Sequence, residues 1–237
     1  MKRKLIAILL VGLFITLGSA SMVSANPRGE ATENVLTIVK SGDGAPVSGD
    51  QLVIDESAKN NLEAQIYEFK TWIEQARPFQ DFVLTEEEKT EIVTQVTNLI
   101  DSVNAVLEEL DQDPIEPAWV FNEMFETELG RSTIVSVGVG YAFIPFYDYE
   151  SFYGIMFRPI WLIYPPWFML NGGYTGNLNI NIFPPRIEYG DRLGSHIVRT
   201  TFFSGLYMNI GDLGYDNIFG GPMILLGRAR VVMSGDL

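Results

Sequence analysis

The sequence predicts an α+β protein in which an N-terminal antiparallel α-helical hairpin is followed by an all-β sandwich or small barrel domain. Two segments before residue 113 repeat apolar side chains alternately four and three positions apart, which is the spacing of a helix face. After residue 131 the apolar side chains alternate with a period of two, and Gly and Pro interrupt them at short intervals. The charge changes at the same place: residues 26–130 hold 23 Asp and Glu against 6 Lys and Arg, whereas residues 131–237 hold seven of each.

Residues 1–25 have the pattern of a signal peptide. Positions 2–4 are basic, positions 5–17 are apolar apart from one Gly and one Thr, and positions 23–25 read Val-Ser-Ala, which fits a small-residue cleavage site. Cleavage there would leave a mature chain that begins at Asn26. The alternative is an uncleaved anchor, although the apolar run is shorter than the ~20 residues that a spanning helix needs. Both alternatives predict an exported protein, secreted or attached to the cell surface, and the short signal is typical of prokaryotes.

Composition narrows the classes of partner. The chain has no Cys, so an exported protein of this size must be held together by its core and not by disulfides. A hydrophobic content of 47% is sufficient for such a core. The excess of acid before residue 131 argues against nucleic acid as a partner. A membrane is expected as a partner only through an uncleaved N-terminal segment.

Residues 26–54 predict one short strand and a linker. Residues 35–39 are rich in β-branched side chains, which favours a strand. Residues 41–50 contain three Gly and one Pro, which favours a turn or linker between the strand and the first helix.

Residues 55–113 predict an acidic helical hairpin, because the connection between its two helices is short enough to make them antiparallel. Trp72, Val93 and Leu107 lie beside the apolar seams of the two helices and would stay partly exposed in an isolated hairpin. A third surface must therefore cover them, and it is either the β part or another copy of the hairpin. A homo-oligomer through the helical hairpin is therefore one alternative. The apolar seams are Leu62, Ile66, Phe69, Ile73 and Ala76 in the first helix, and Ile92, Val96, Leu99, Val103, Val106 and Leu110 in the second.

Both helices carry sequence signals at their ends. Asp55 or Ser57 can cap the first helix, and Pro78 ends it because the residue before a proline avoids helical geometry. Thr85 and Glu88 have the spacing of a capping box at the start of the second helix.

Residues 114–131 predict a connector in which residues 119–125 form about one helical turn. Asp111, Asp113 and Glu116 only superficially resemble the opening of a calcium loop, since two prolines interrupt them and the glycine and distal glutamate of such a loop are missing. The sequence predicts no metal site and no cofactor.

Residues 132–237 predict an aromatic-rich β domain. Between residues 134 and 143, large apolar side chains on one face alternate with Ser, Gly and Ala on the other. The face of small residues permits the close approach of another sheet or ring. Further strands are predicted at residues 152–157, 160–164, 177–182, 197–203, 205–210 and 223–233.

Residues 141–168 hold twelve aromatic side chains. Rings of this size dominate whatever core or interface they join. Trp161, Tyr164 and Trp167 lie among prolines that interrupt a strand ladder, so we expect at least one of these rings, Trp167 in particular, on an exposed loop.

Asn177, Asn179 and Asn181 alternate with apolar residues and would line one face of a strand. Asn is uncommon in strands, so the row is either a solvent-facing surface or a set of donors and acceptors for a polyhydroxylated ligand. Together with Trp161, Tyr164 and Trp167 it forms the candidate platform for a glycan, a protein or an apolar ligand.

Catalytic signatures are weak. His196 is the only histidine, so a catalytic triad would need it beside a nucleophile such as Ser195 or Ser204, and no nucleophile motif precedes a helix. The β part offers two carboxyl pairs of the kind that a glycosidase needs, namely Asp148 with Glu150 and Glu188 with Asp191.

These observations predict an exported or cell-surface, non-catalytic protein that binds a partner or assembles. One alternative is a carrier or sensor of an apolar ligand, held in an aromatic-lined pocket of the β domain. The other is a glycan-active hydrolase with paired carboxylates.

Overall fold

The computed structural model describes residues 34–41, 50–81, 83–109, 111, 113–125, 132–147, 151–166, 172–181, 186–210 and 221–236, all within one compact unit. Helices and an extended β-sheet confirm the predicted α+β class. The helices are α1 (Glu56–Ala76), α2 (Glu86–Glu109) and α3 (Pro117–Phe125), with a 3-10 turn at Pro78–Gln80. The strands are β1 (Asn34–Ser41), β2 (Asp50–Ile54), β3 (Ser132–Phe143), β4 (Ser151–Met156), β5 (Ile160–Tyr164), β6 (Gly173–Asn181), β7 (Arg186–Gly194), β8 (His196–Thr201), β9 (Phe203–Asn209), β10 (Gly221–Ala229) and β11 (Val231–Asp236).

The strands form one branched sheet, whose branches we call the large sheet and the small sheet. The large sheet has the order β2-β1-β4-β9-β10-β3-β6-β7, and the small sheet consists of the end of β3 followed by β5, β8 and β11. Neighbouring strands are antiparallel except for β1 and β4, which are parallel. Residues 132–138 of β3 pair with β6, whereas residues 141–143 pair with β5. The described strands therefore form an open sheet and not a closed barrel.

The molecule is built of three layers. Alternate residues of a strand point to opposite faces of a sheet, and in β3 and β10 both faces are buried. Val135 and Leu226 pack with the helices, whereas Ile134 and Leu225 pack with the small sheet. The large sheet thus lies between the helical layer, formed by α1, α2 and α3, and the small sheet. The two sheets supply the sandwich that the sequence predicts.

The helical hairpin begins and ends where its sequence signals lie. The side chain of Asp55 accepts a hydrogen bond of 2.7 Å from the amide of Ala58, and Arg77 ends α1 in the left-handed conformation. Thr85 and Glu88 form the predicted capping box: the amide of Glu88 donates to Thr85 Oγ1 at 3.1 Å and the amide of Thr85 donates to Glu88 Oε2 at 2.7 Å. These contacts satisfy helix-end amides that have no partner inside the helix.

The large sheet supplies the third surface that the hairpin needs. Leu62 and Val103 of the two seams are fully buried in the same core as Val137 of β3. Leu107, predicted to be partly exposed, is also buried, in the core that the helices share with the large sheet. The heptad seams are therefore occupied within one chain, so an association of copies through the hairpin would have to use its outward-facing side chains.

Polar contacts join the helical layer to the strands and also hold the helices to one another. Arg77, between α1 and the 3-10 turn, makes two hydrogen bonds of 2.8 Å to the carboxylate of Asp191 on β7. Arg228 of β10 pairs with Glu123 of α3 at 3.2 Å, and both side chains are largely buried. Asn104 of α2 donates to the carbonyl of Ile115 and accepts from its amide, which fixes the turn into α3.

A row of glycines crosses three neighbouring strands of the large sheet. Gly154, Gly205 and Gly227 lie opposite one another on β4, β9 and β10, and all three have a φ between +136° and +153°. A Cβ at Gly205 would lie 2.0 Å from the carbonyl oxygen of Leu226. Only glycine fits this backbone and this close approach, so the row fixes the course of three strands at once.

Several strand boundaries differ from the sequence analysis. The structure adds β2 at residues 50–54, in a segment predicted to hold one strand and a linker, adds β7 at residues 186–194, and divides the predicted strand 223–233 into β10 and β11. Strands β1 and β2 precede the helices yet belong to the large sheet, because β1 pairs with β4 on one side and with β2 on the other. Residues 1–33, which hold the predicted signal peptide, lie outside the described residues. No helix among the described residues is long and apolar enough to cross a membrane.

Candidate functional site

The small sheet presents an apolar surface on the side that faces away from the large sheet. Ile160, Leu162 and Val198 point inward into the core, so the residues between them on β5 and β8 point outward. We call this surface the outer face. It consists of Tyr141, Phe143, Trp161, Ile163, Ile197, Arg199 and Met233.

The outer face is organised in two rows that cross the strands. In the first row Phe143 lies opposite Trp161, Trp161 lies opposite Arg199, and Arg199 lies opposite Met233. In the second row Tyr141, Ile163 and Ile197 lie opposite one another. Directly opposite side chains on adjacent strands touch and support each other, so the two rows form one continuous surface.

Large apolar side chains of the outer face are open to solvent. Met233 is 59% exposed, Phe143 44% and Tyr141 36%, while Trp161 and Ile163 are half-buried. Single exposed apolar residues are common, but a contiguous group of them on one face marks a surface that binds a partner.

Arg199 places one positive charge in the middle of the first row. Its Cζ lies 4.7 Å from the centroid of the Trp161 indole, within the range of a cation–π contact. Its Nε is buried and forms no hydrogen bond within the described part of the chain, so a partner would have to meet the terminal nitrogens of the guanidinium. A guanidinium that stacks on a ring keeps its in-plane donors for a carboxylate or another planar acceptor. The same stacking covers one face of the indole, so that face cannot take a sugar ring.

Two further exposed aromatic rings lie at one end of the small sheet. Phe157, which follows β4, packs edge to face against Phe202 in the β8–β9 turn, with centroids 5.8 Å apart. Arg230, in the β10–β11 turn, lies over Phe202 at 5.7 Å. Both rings are about half exposed, so the apolar surface reaches the turns beside the outer face.

The structure separates the ring residues that the sequence grouped into a ligand platform. Trp161 lies on the outer face, half-buried. Tyr164 is fully buried and hydrogen-bonded in the core, so it is not a ring that a surface ligand can reach, which corrects the expectation for this residue. Trp167 lies outside the described residues.

The predicted row of asparagines lies on a different strand from the outer face. Asn177, Asn179 and Asn181 belong to β6, where Asn177 is half-buried. The surroundings of the Asn179 and Asn181 side chains lie outside what the structure describes. Strand β6 is in the large sheet and Trp161 is in the small sheet, so the asparagine row and the rings are not brought together in one row.

A chain of hydrogen bonds is buried where the two sheets divide. Tyr164 Oη lies 2.7 Å from Ser136 Oγ, which lies 2.7 Å from Thr175 Oγ1. Thr175 Oγ1 lies 2.8 Å from His196 Nε2, and His196 Nδ1 lies 2.9 Å from the carbonyl oxygen of Gly194. All four side chains are buried.

The direction of each of these hydrogen bonds follows from the group at the end of the series, the carbonyl oxygen of Gly194. A carbonyl oxygen only accepts, so His196 Nδ1 carries the proton and donates to Gly194, and the Nε2 of the neutral ring accepts from Thr175. Thr175 then accepts from Ser136, and Ser136 accepts from Tyr164. The tyrosine ring fits there because it packs on Gly138 and Gly173, where a Cβ would lie about 2.5 Å from the ring.

The buried hydrogen-bond chain is structural and not catalytic. Burial away from water lowers the pKa of His196, the nearby charge of Arg192 lowers it further, and the Gly194 carbonyl and Asp236 oppose this shift. Both ring nitrogens already have partners and no surface reaches them. His196 therefore has the role of a satisfied core histidine.

The carboxyl pairs proposed for a hydrolase find no support in the described residues. Asp191 accepts hydrogen bonds from Nε and Nη2 of Arg77, so its carboxylate is already engaged. Asp148 and Glu150 lie outside the described residues, and so does the side chain of Glu188. No group of three or more His, Cys, Asp or Glu that could hold a metal ion occurs in the described part of the chain.

A broad depression lies on the helical layer, and none of its lining residues belongs to the outer face. It has a volume of about 580 Å³, is open to solvent and is lined by Glu86, Glu87, Thr90 and Glu91 at the start of α2. It is acidic and not aromatic, so it does not have the character of a pocket for an apolar ligand. The rings Phe152, Phe203 and Tyr207 instead fill the core between the two sheets.

Sequence reasoning did not identify Phe143, Arg199 and Met233 as members of one surface. The sequence carries little signal for Arg199, because residues 196–201 do not alternate between apolar and polar side chains, whereas the folded strand alternates buried and half-buried positions. Strand order was the missing information, since only the pairing of β3, β5, β8 and β11 places these residues in one row. Comparison of the chain with protein-family models, with curated proteins and with solved structures finds no match.

Proposed function

We propose that this chain is an exported, non-catalytic binding or assembly module that acts through the outer face of the small sheet. The observation that carries this proposal is the row Phe143, Trp161, Arg199 and Met233, which presents exposed apolar side chains and one cation in register on four adjacent strands. Export rests on the signal-peptide pattern of residues 1–25.

The rest of the site supports binding over catalysis. The most conspicuous titratable side chain of the β part, His196, is buried with both nitrogens engaged, and Asp191 is engaged by Arg77. A ring-filled core also supports a module that binds on its surface rather than a carrier that encloses its ligand. The outer face is flat and apolar with a central arginine, which is the composition of a protein interface, where aromatic residues, Met and Arg are enriched.

Site-specific photo-crosslinking in the producing cell tests this function. A photoreactive amino acid at Met233 should give crosslinked products, whereas the same group at Leu193 should give none, because Leu193 is similarly exposed at 51% but lies on β7 at the edge of the large sheet. Equal crosslinking at both positions, or none at Met233, would contradict a binding role for the outer face.

Mass spectrometry of the protein from each cell fraction tests the proposed export separately. A chain that begins at Asn26 in the extracellular fraction is the expected result. An intact chain found only in the cytoplasm would overturn export and leave the binding proposal to be judged on the crosslinking alone.

A further inference from the structure

We propose that the partner of the outer face is the acidic helical layer of a second copy of this chain, so that copies associate head to tail. This inference rests on the proposed function and names its partner. It is carried by complementary charge and shape on opposite sides of the same molecule.

The helical layer is the acidic side of the molecule. Between residues 55 and 125 the chain has 17 Asp and Glu and only 4 Lys and Arg. Three of these cations are already committed, because Lys70 pairs with Glu74, Lys89 with Glu86, and Arg77 with Asp191. The solvent side of the layer therefore presents an excess of carboxylates that nothing on the same layer neutralises.

The outer face offers what this acidic layer lacks. Two arginines of the β part already have anionic partners, since Arg228 pairs with Glu123 and Arg192 with Asp236. Arg199 stacks instead on Trp161, at a half-buried position of the outer face. A stacked guanidinium in an apolar row is suited to a carboxylate that arrives beside an apolar group.

One flank of the helical layer has that combination. Trp72 of α1 is half-buried, and its Nε1 donates a hydrogen bond of 2.7 Å to Glu91 of α2. Glu68 lies one helical turn before Trp72, and Glu87 lies one turn before Glu91, so both fall on the same flank. Both are exposed. This flank places an indole among carboxylates, whereas the outer face places a guanidinium among apolar side chains.

The layer order makes such an association head to tail. The helical layer and the small sheet cover opposite faces of the large sheet, so one copy can use both surfaces at the same time. Contacts between unlike surfaces build rings or open filaments and not simple two-fold dimers. The attraction is partly between charges, so it should weaken as the salt concentration rises.

Analytical ultracentrifugation of the exported chain over a concentration series tests the inference. The wild type should form dimers and larger species. Arg199→Glu on the outer face, and the double variant Glu68→Arg with Glu87→Arg on the helical layer, should each weaken association by about tenfold or more. Mixing the two should restore a dimer that neither variant forms alone, because each retains one wild-type surface and the changed surfaces cannot extend it.

Matched controls separate the surfaces from the net charge. Lys59→Glu, near the start of α1, makes the same charge change as Arg199→Glu, and Glu108→Arg with Glu109→Arg makes the same change as the helical double variant at the other end of α2. Both controls should associate like the wild type, and the circular dichroism of every variant should match that of the wild type.

Three outcomes would overturn the inference. The wild type stays monomeric at every concentration, the helical variant associates normally, or the mixture fails to recover a dimer. The second outcome, in which only Arg199→Glu weakens association, would show that the outer face pairs with itself and not with the helical layer. If Met233 crosslinks to another protein while the purified chain stays monomeric, the proposed function stands and the second copy is excluded as the partner.

Discussion

The hydrogen-bond chain from Tyr164 to His196 gives the buried residues a single arrangement of protons. Each hydroxyl donates to the next acceptor, so one missing hydroxyl leaves two neighbours without a partner in a dry core. An unpaired buried polar group costs about 1–3 kcal/mol.

We expect Thr175→Val to lower the free energy of unfolding by about 1–3 kcal/mol. Valine has the shape of threonine but neither donates to His196 Nε2 nor accepts from Ser136. Urea denaturation measures the loss. Thr201→Val on β8 of the small sheet, at a half-buried position, is the control and should change stability by less than about 0.5 kcal/mol. Equal losses in both variants would show that the hydrogen-bond chain has no special role.

We expect His196 to make the protein less stable in mild acid. Its folded-state pKa is lowered from the usual 6.5 by burial, so the folded protein takes up this proton at lower pH than the unfolded chain does. Stability is therefore unaffected by this group at neutral pH and falls as the pH drops below about 6.5, by up to ~1.4 kcal/mol per pH unit. The groups around the ring are Tyr164, Arg192 and Asp236.

The variant His196→Gln isolates this effect, because the chain has no other histidine. Thermal denaturation between pH 7 and pH 5 should show a smaller slope for His196→Gln than for the wild type, although the variant starts from lower stability. Parallel slopes for the two proteins would refute the assignment.

At the scale of single elements, local chemistry made the helices predictable. Asp55, Thr85 and Glu88 are capping residues whose partners lie within three positions, so the chain itself carries the information. The same holds for the small-residue face of β3, on which the Tyr164 ring packs. The break between β10 and β11 and the added strand β7 were not predictable in this way, because their pairing partners lie far away in the sequence.

The candidate site was predictable only in part for the same reason. Trp161 stood out as a large aromatic residue among prolines. Its neighbours Phe143, Arg199 and Met233 come from three other strands, and a row across strands leaves no pattern in a linear sequence. Tyr164 was assigned to the platform because the sequence of β5 does not reveal which of its two faces is covered.

We expect Gly205→Ala to destabilise the protein by about 3 kcal/mol or more, since its φ of +152° and the carbonyl 2.0 Å from an added Cβ leave no room for a side chain. Gly235→Ala is the matched control, because an added Cβ there meets nothing within 4 Å, and it should change stability by less than about 0.5 kcal/mol. Chemical denaturation of both variants gives the comparison, and a similar loss in each would exclude the glycine row as a constraint.

At the scale of the whole molecule, the helical layer and the large sheet share one core. The contrast in charge and periodicity between the two halves of the sequence predicts two separable parts, so that residues 131–237 would fold alone. The shared core makes a different outcome the physical expectation, because Val135, Val137, Ile224 and Leu226 lose their cover when the helices are absent.

We therefore expect Val103→Asp to remove helical and β structure together. Val103 is fully buried in the shared core, and an unpaired charge there has no partner. Circular dichroism at the helical minimum and tryptophan fluorescence should follow one transition. Loss of the helical signal alone, or a soluble fragment 131–237 with β circular dichroism, would support two independent domains instead.

The place of β3 in the topology has a consequence for the order in which the chain folds. Strand β3 is complete at residue 143, but β10, which pairs with it along nine positions, begins only at Gly221. The sheet therefore cannot close around β3 until nearly the whole chain is present, and contacts of such long sequence separation form slowly. We therefore expect the sheet to remain incomplete until late in synthesis, as the proposed export of an unfolded chain across a membrane would require.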